Sequence, residues 1–287
     1  VYAGCVVSAM SIILHYYRYS LHGIGEEGYY AGSYGYLSVN YGETEYNWDA
    51  MMNQINGSSG TEAISAIAEL QYHCGVAVHM NYSPDGSGAY SFNVPDAIKS
   101  HFGYSNNAQH ISKGNYTNAI WMTYLKTDLD AKHPLYYSGQ SNDGGHAFVC
   151  DGYEGTNFHF NFGWSGSGNG FFSLNDVGGF SSGQACVRNF YPDDNYPYGC
   201  TSRTITATNG NFEDGSGRNG TYTANVNAEY LIEPTENVET INMSFPLFDL
   251  GSGDKITVYD GNSSSASVLG EFTSSTTPGS DNITSTV

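Results

Sequence analysis

Cys5 follows a glycine and opens the apolar run CVVSAMSIILHYY, while His146 follows two glycines and opens the run HAFVCDGY. A thiol and an imidazole are a pair that nucleophilic catalysis uses: the thiolate attacks and the imidazole moves the proton. If Cys5 begins a helix, the unpaired N–H groups and the positive end of the helix dipole favour the thiolate. The glycines before His146 let another chain approach the backbone closely. Cysteines at helix starts and histidines in strands are common without any chemistry, so the pair needs a third member. HAFVCDGY and NFHFNFGW flank the turn-like EGT, and a hairpin there brings residues 161–164 beside His146. The expectation is that the Asn161 amide accepts from the imidazole N–H and sets its tautomer. Trp164 then covers that bond, serves as a core aromatic, or does both.

The elements that must position these groups are legible in outline. Residues 5–17 are apolar nearly all round, as a helix buried in a core would be. In SSGTEAISAIAELQYHCG, Ser59 followed by Glu62 predicts a capping box and Gly75 a stop. NVPDAIKSHFG, with Pro95 in its first turn, and TNAIWMTYLKTDLDA, ending before His133 and Pro134, predict two more helices. LYYSG, HAFVCDGY, NFHFNFGW and GFFSL are aromatic or β-branched runs between glycine-rich turns, which is strand chemistry. Residues 1–192 therefore read as an α+β domain. YPDDNYPYG reads as a linker. Residues 199–287 carry short alternating segments (RTITAT, TYTANVNAEYLIEP, VETINMSF, DKITVYDG, SVLGEF) at the spacing of an all-β sandwich.

Composition narrows the partners. Against 28 Asp and Glu the 287 residues hold 9 Lys and Arg, a formal charge of −19, and such a field repels phosphate backbones and argues against nucleic acid. Only 13% of residues are charged, while 36 are Gly and 25 Tyr, a balance that suits a secreted or cell-surface protein. The apolar run VVSAMSIIL is too short for a membrane span and is broken by Ser8 and Ser11. A chain that opens at Val1 without a Met is read as a fragment lacking its targeting segment. Cys5, Cys74, Cys150, Cys186 and Cys200 form no CxxC pair, and Cys74 and Cys150 sit in apolar runs as buried hydrophobes do. The 9 histidines include no HExxH, so a metal-dependent hydrolase finds no support.

YAGCVVSAMSIILHYY, YNWDAM, LYYSG, GGHAFVCDGYEG and NFGWSGSGNGFFSL, in this order, resemble the streptopain family of secreted bacterial cysteine proteases, which have a papain-like fold. The separation of Cys5 and His146 falls in the span of roughly 130–150 residues known for papain-like enzymes. The resemblance, from Val1 to about Phe190, implies Cys5 as nucleophile, His146 as general base and acid, and Asn161 and Trp164 as their support. It also implies Gly145 and Gly88 as backbone partners for an extended substrate, although the loop NYSPDGSGAYSF around Gly88 reads equally as a plain surface loop. Three features depart from the family. Phe162 stands for a Trp, Ser138 stands at a position tied to the oxyanion hole where the namesake has Gln, and the usual Gln upstream of the Cys is not in the chain.

CTSRTITATNGNFEDGSGRNGTYTANVNAEYLIEP and FPLFDLGSGDKITVYDG resemble a CUB domain, a β-sandwich used for protein or glycan contact and often calcium-dependent. The resemblance implies that Cys200 lacks its disulfide partner, near Ala228, and that the closing strands are absent. It makes Asp249 and Asp254 calcium candidates, against the simpler reading of solvated turn aspartates, with Gly251 about where a Glu is expected and Asp281 further on. The leading expectation is thus a secreted cysteine endopeptidase, zymogen-derived, acting through an acyl-enzyme on protein or peptide substrates without a catalytic cofactor. The alternative is a weak or inactive protease-like binding protein that presents its CUB-like domain to a surface protein or glycan.

Overall fold

The computed structural model describes residues 2–19, 23–192, 202–206, 208, 222, 224–235, 237–245, 248–279 and 282–286, in two units, Val1–Tyr196 and Pro197–Val287. Cys200, Asp281 and most of the linker lie outside the described residues.

In the first unit, helix α1 (Cys5–Tyr17) buries Val6, Val7, Met10, Ile13 and Leu14 on more than one side, as its all-round apolar sequence requires, and ends where Arg18 turns left-handed. Strands β1 (Glu26–Tyr30) and β2 (Tyr36–Asn40) pair as a hairpin. Helix α2 (Thr61–Ala77) departs from expectation at both ends. Gly60 is its cap, with no side-chain bond. The Ser59 hydroxyl accepts instead from the Asn56 N–H, closing a local turn, and Glu62 reaches across to Asn47. Gly75 does not stop the helix, because the chain runs on to Ala77 with Gly75 buried inside it. Helix α3 (Val94–Phe102) has Pro95 in its first turn and stops at the left-handed Gly103. Strand β3 (Gln109–Ser112) leads to helix α4 (Asn118–Asp130), where the Thr117 hydroxyl accepts from the Ile120 N–H as an N-cap.

Strands β4 (Leu135–Ser141), β5 (Gly144–Glu154), β6 (Asn157–Asn161), β7 (Gly170–Ser173) and β8 (Ser182–Arg188) join β3 in one antiparallel sheet of order β3-β8-β4-β5-β6-β7. Trp121 and Leu125 of α4 pack on Leu135, Tyr137, Phe148, Cys150, Phe158 and Phe160, so this face is an aromatic core in which each large ring removes much apolar area from water. Cys74 and Cys150 are fully buried, and burial pushes both thiols up, to about 12 for Cys74, so they stay inert. α1 packs against β5, β4 and α2.

The second unit is built from strand pairs: β9 (Arg203–Ile205) parallel to β10 (Tyr230–Ile232), β11 (Thr240–Met243) antiparallel to β14 (Ile283–Thr286), and β12 (Lys255–Asp260) antiparallel to β13 (Ser267–Thr273). Phe245, Phe248 and Phe272 gather edge to face within it.

Candidate active site

Cys5 is the first residue of α1. Gly4 caps the helix at φ 94°, and the first backbone bond runs from Ser8 N–H to Gly4 C=O at 3.0 Å. The N–H groups of Cys5, Val6 and Val7 therefore surround the thiol end of the helix with no intrahelical acceptor. Only a glycine fits before the cysteine. A Cβ on Gly4 would lie 2.8 Å from the Ser87 carbonyl oxygen and 3.0 Å from Met80 Cε, at a φ that side chains rarely adopt.

His146 is near the start of β5, paired with Gly139 on β4. Its Nε2 lies 2.9 Å from the backbone carbonyl of Phe162. A carbonyl only accepts, so Nε2 carries the proton and Nδ1 keeps its lone pair, the state that a general base requires. The expected partner was the Asn161 side chain. Asn161 instead ends β6, and its Oδ1 accepts from Gly163 N–H at 3.0 Å. The physical reason is local: as the chain leaves the strand, a short amide satisfies the backbone two residues on. That turn aims the Phe162 carbonyl at the imidazole.

Aromatic rings surround the histidine. Trp164 stacks on it with centroids 4.7 Å apart and planes 25° from parallel, and the rings of Phe148, Phe162 and Phe180 lie at 5.7, 6.3 and 5.5 Å. Trp164 is 49% exposed and is therefore a cover over the imidazole, not part of the core, whereas Phe162 at 2% is the core aromatic. Burial pulls the His146 imidazole below its ordinary value, and the bond to the Phe162 carbonyl opposes this.

The two halves meet through the loop after β6. A Cβ on Gly163 would sit 3.6 Å from Ser8 Cβ, so the backbone that holds the imidazole lies against the first turn of the helix that carries Cys5. Tyr136 of β4 shares a 2.8 Å hydrogen bond with Ser91. Ser138 sits mid-sheet between Ala147 and Ala185, one pair from His146. Gly145 pairs with Gln140 of β4 alone, because β6 meets β5 only from Val149 onward. Gly88 is placed otherwise than expected: its N–H donates to the Asn81 carbonyl at 3.2 Å and its carbonyl accepts from Asn81 N–H at 2.9 Å. Its backbone is thus used inside its own loop, and the Ser87 carbonyl is the group that reaches the helix start.

This chain matches the model of the peptidase C10 family over residues 1–172, more than half its length. The chain belongs to the peptidase C10 family. A CUB domain model matches residues 200–287. Among curated relatives, the thiol protease/hemagglutinin PrtT of Porphyromonas gingivalis is 34% identical over 210 residues, 68% of this chain and 24% of that protein. Streptopain of Streptococcus pyogenes serotype M1 is 32% identical over 208 residues, 66% of this chain and 52% of that protein. The chain thus spans from about a quarter to about half of these relatives. Among solved structures, the active wild-type cysteine protease interpain A of Prevotella intermedia is 33% identical, with a TM-score of 0.61 over 66% of this chain and 83% of that one. A fragment of prointerpain A from the same organism gives 0.60 at 32% identity, covering 66% of this chain and 63% of that one. The papain-like fold of the first unit is shared with these cysteine proteases, which need no cofactor for catalysis.

Asp254 accepts a hydrogen bond from the phenol of Tyr222, whose oxygen accepts from Gly251 N–H, and Asp249 lies close enough for Tyr222 to feel its charge. Among the described residues no group of three or more His, Cys, Asp or Glu comes together to hold a metal ion. Calcium takes about six oxygen ligands, and these two carboxylates, one already engaged by a phenol, do not fit it by themselves.

Sequence reading missed the Phe162 carbonyl, because a backbone group has no signature of its own. It also missed Phe148 and Phe180, whose spacing marks them only as core.

Proposed function

We propose that this protein is a secreted cysteine endopeptidase. The observation that carries the reading is the His146 imidazole, protonated at Nε2 by its bond to Phe162 and held by a loop that packs on the first turn of the Cys5 helix. Nδ1 accepts the thiol proton, and the Cys5 sulfur attacks the peptide carbonyl carbon. The tetrahedral oxyanion is favoured by the free N–H groups at the start of α1. The C–N bond then breaks, with the Nδ1 proton passing to the leaving amine and an acyl thioester remaining on Cys5. Water, deprotonated by the same nitrogen, attacks the thioester and releases the acid and the thiol.

The overhang of β5 beyond β6 leaves one edge of Gly145 and His146 unpaired by strand, which suits an extended protein substrate laid alongside it. The acidic, charge-poor composition agrees with action outside the cell, and no helix among the described residues is long and apolar enough to cross a membrane. The CUB unit would supply contact with a surface protein or glycan.

A thiol-directed epoxide followed by peptide mass spectrometry tests the reading. Labelling confined to Cys5, lost in Cys5→Ala and reduced to the rate of denatured protein in His146→Ala, is the expected result. Equal labelling of native and denatured protein would leave a protease-like binding protein in its place. On this reading a chelator of divalent ions leaves peptide hydrolysis unchanged.

A further inference from the structure

The peptide unit that joins Phe162 to Gly163 is gripped at both ends. Its carbonyl accepts from His146 Nε2 and its N–H donates to Asn161 Oδ1. The unit before it is also held, since Phe162 N–H donates to Asn169 Oδ1 at 3.0 Å. Asn161 acts within its own turn, but Asn169 reaches back across seven residues from the start of β7 and ties the two ends of the loop together.

That loop needs the tie. Gly163, Ser165, Gly166 and Gly168 all have positive φ, and residues 163–168 are exposed. A Cβ on Gly168 would touch the rings of Trp164 and Phe162 at 3.6 and 3.7 Å. The chain thus doubles back tightly around the two aromatics that flank His146, and the Asn169 amide is what meets the Phe162 backbone on its return.

We propose that Asn169 is a positioning residue for the Cys5–His146 pair, holding the Phe162 carbonyl as the acceptor of the imidazole. When Nδ1 takes the thiol proton, the cationic ring donates more strongly from Nε2, and an acceptor held at that point stabilises the cation. The Gly163 N–H, in the same peptide unit as the Phe162 carbonyl, polarises that carbonyl through its bond to Asn161, while the Asn169 bond fixes the preceding peptide unit and so the direction in which the carbonyl points. Its effect on rate rests on the peptidase reading. Its effect on the imidazole does not, and can be measured separately.

Two measurements on the full chain test it. In Asn169→Ala, kcat for peptide hydrolysis falls about tenfold, the loss of one hydrogen bond's worth, with KM little changed. The acid limb of the pH profile moves to lower pH, because the imidazolium has lost support and the base stays neutral further down. Asn169→Asp, which keeps an acceptor oxygen, recovers most of the rate, and its added negative charge moves the limb to higher pH. In a Cys5→Ala background, side-chain nitrogen NMR of His146 reads the same effect without turnover. The parent shows the Nε2–H tautomer, Asn169→Ala lowers both that population and the titration midpoint, and Asn169→Asp raises the midpoint. An unchanged tautomer and midpoint in Asn169→Ala overturn the proposal whatever happens to the rate. A protein that never hydrolyses peptides but shows the NMR response keeps the positioning role and loses the peptidase reading.

Discussion

The thiol side and the imidazole side of the site are built by different means. Cys5 is placed by backbone: a helix start, a glycine cap at φ 94° and a facing carbonyl from Ser87. His146 is placed by side chains and loop: four aromatic rings, one carbonyl and the two amides that hold it. A substitution on the first side acts through backbone strain, and one on the second through lost packing. On the proposed reading Cys5 is the nucleophile, which has to present one atom at one point, and it has the stiffer mount.

Changing either chemical group should erase the difference between the sides. Cys5→Ser and His146→Ala are each expected to reduce kcat/KM by at least about 10⁴-fold while leaving the thermal melt close to that of the parent, because the two act as one unit. Phe162→Ala should separate stability from chemistry on the imidazole side. Its ring is 2% exposed and packs on Phe148, Phe172 and Phe180, so chemical denaturation should show a loss of about 3–5 kcal/mol.

The next effect comes from pH. Burial lowers the His73 imidazole to about 4, with the Tyr46 hydroxyl 3.0 Å from its Nδ1. The unfolded chain takes up this proton near pH 6.5 and the folded one only near 4, so His73 favours folding above that window, and the contribution is lost as pH falls through it. Denaturant titrations should record a decline approaching about 3 kcal/mol between those limits from this group. Gly4→Ala sharpens the comparison on the thiol side. The strained φ and the approach of Ser87 should cost about 2 kcal/mol in stability, with Cys5 alkylation slowed as the helix start shifts. Trp164→Ala should give the smallest change. Its ring is half in solvent, so stability should hold while kcat drops about tenfold as water gains access to the His146 hydrogen bond.

The second unit differs from the first in how its fold could be read. Its strand segments were visible as alternating patterns, and β12 and β13 form where DKITVYDG and SVLGEF predicted them. Among the described residues of the long segment TYTANVNAEYLIEP, the strand is the three residues of β10, since a strand needs a partner as well as a pattern. The calcium expectation came from resemblance, and among the described residues Asp249 and Asp254 are joined by no third ligand-type side chain, because carboxylates scattered along a sequence converge only if loops bring them together.

In the first unit the amino-acid sequence alone determined the helix that starts at Cys5, the hairpin that carries His146 and the aromatic, glycine-rich run after it. Those are local matters of hydrophobic period, turn chemistry and glycine placement. The capping box at Ser59 failed because a nearer turn offered Asn56 a partner first. The tertiary structure decided which atom accepts the imidazole's hydrogen bond, how Gly88 spends its backbone and what Asn169 holds. Each of these depends on where a carbonyl or an amide points after the chain has doubled back, and backbone groups are the same at every position of a sequence until the fold aims them.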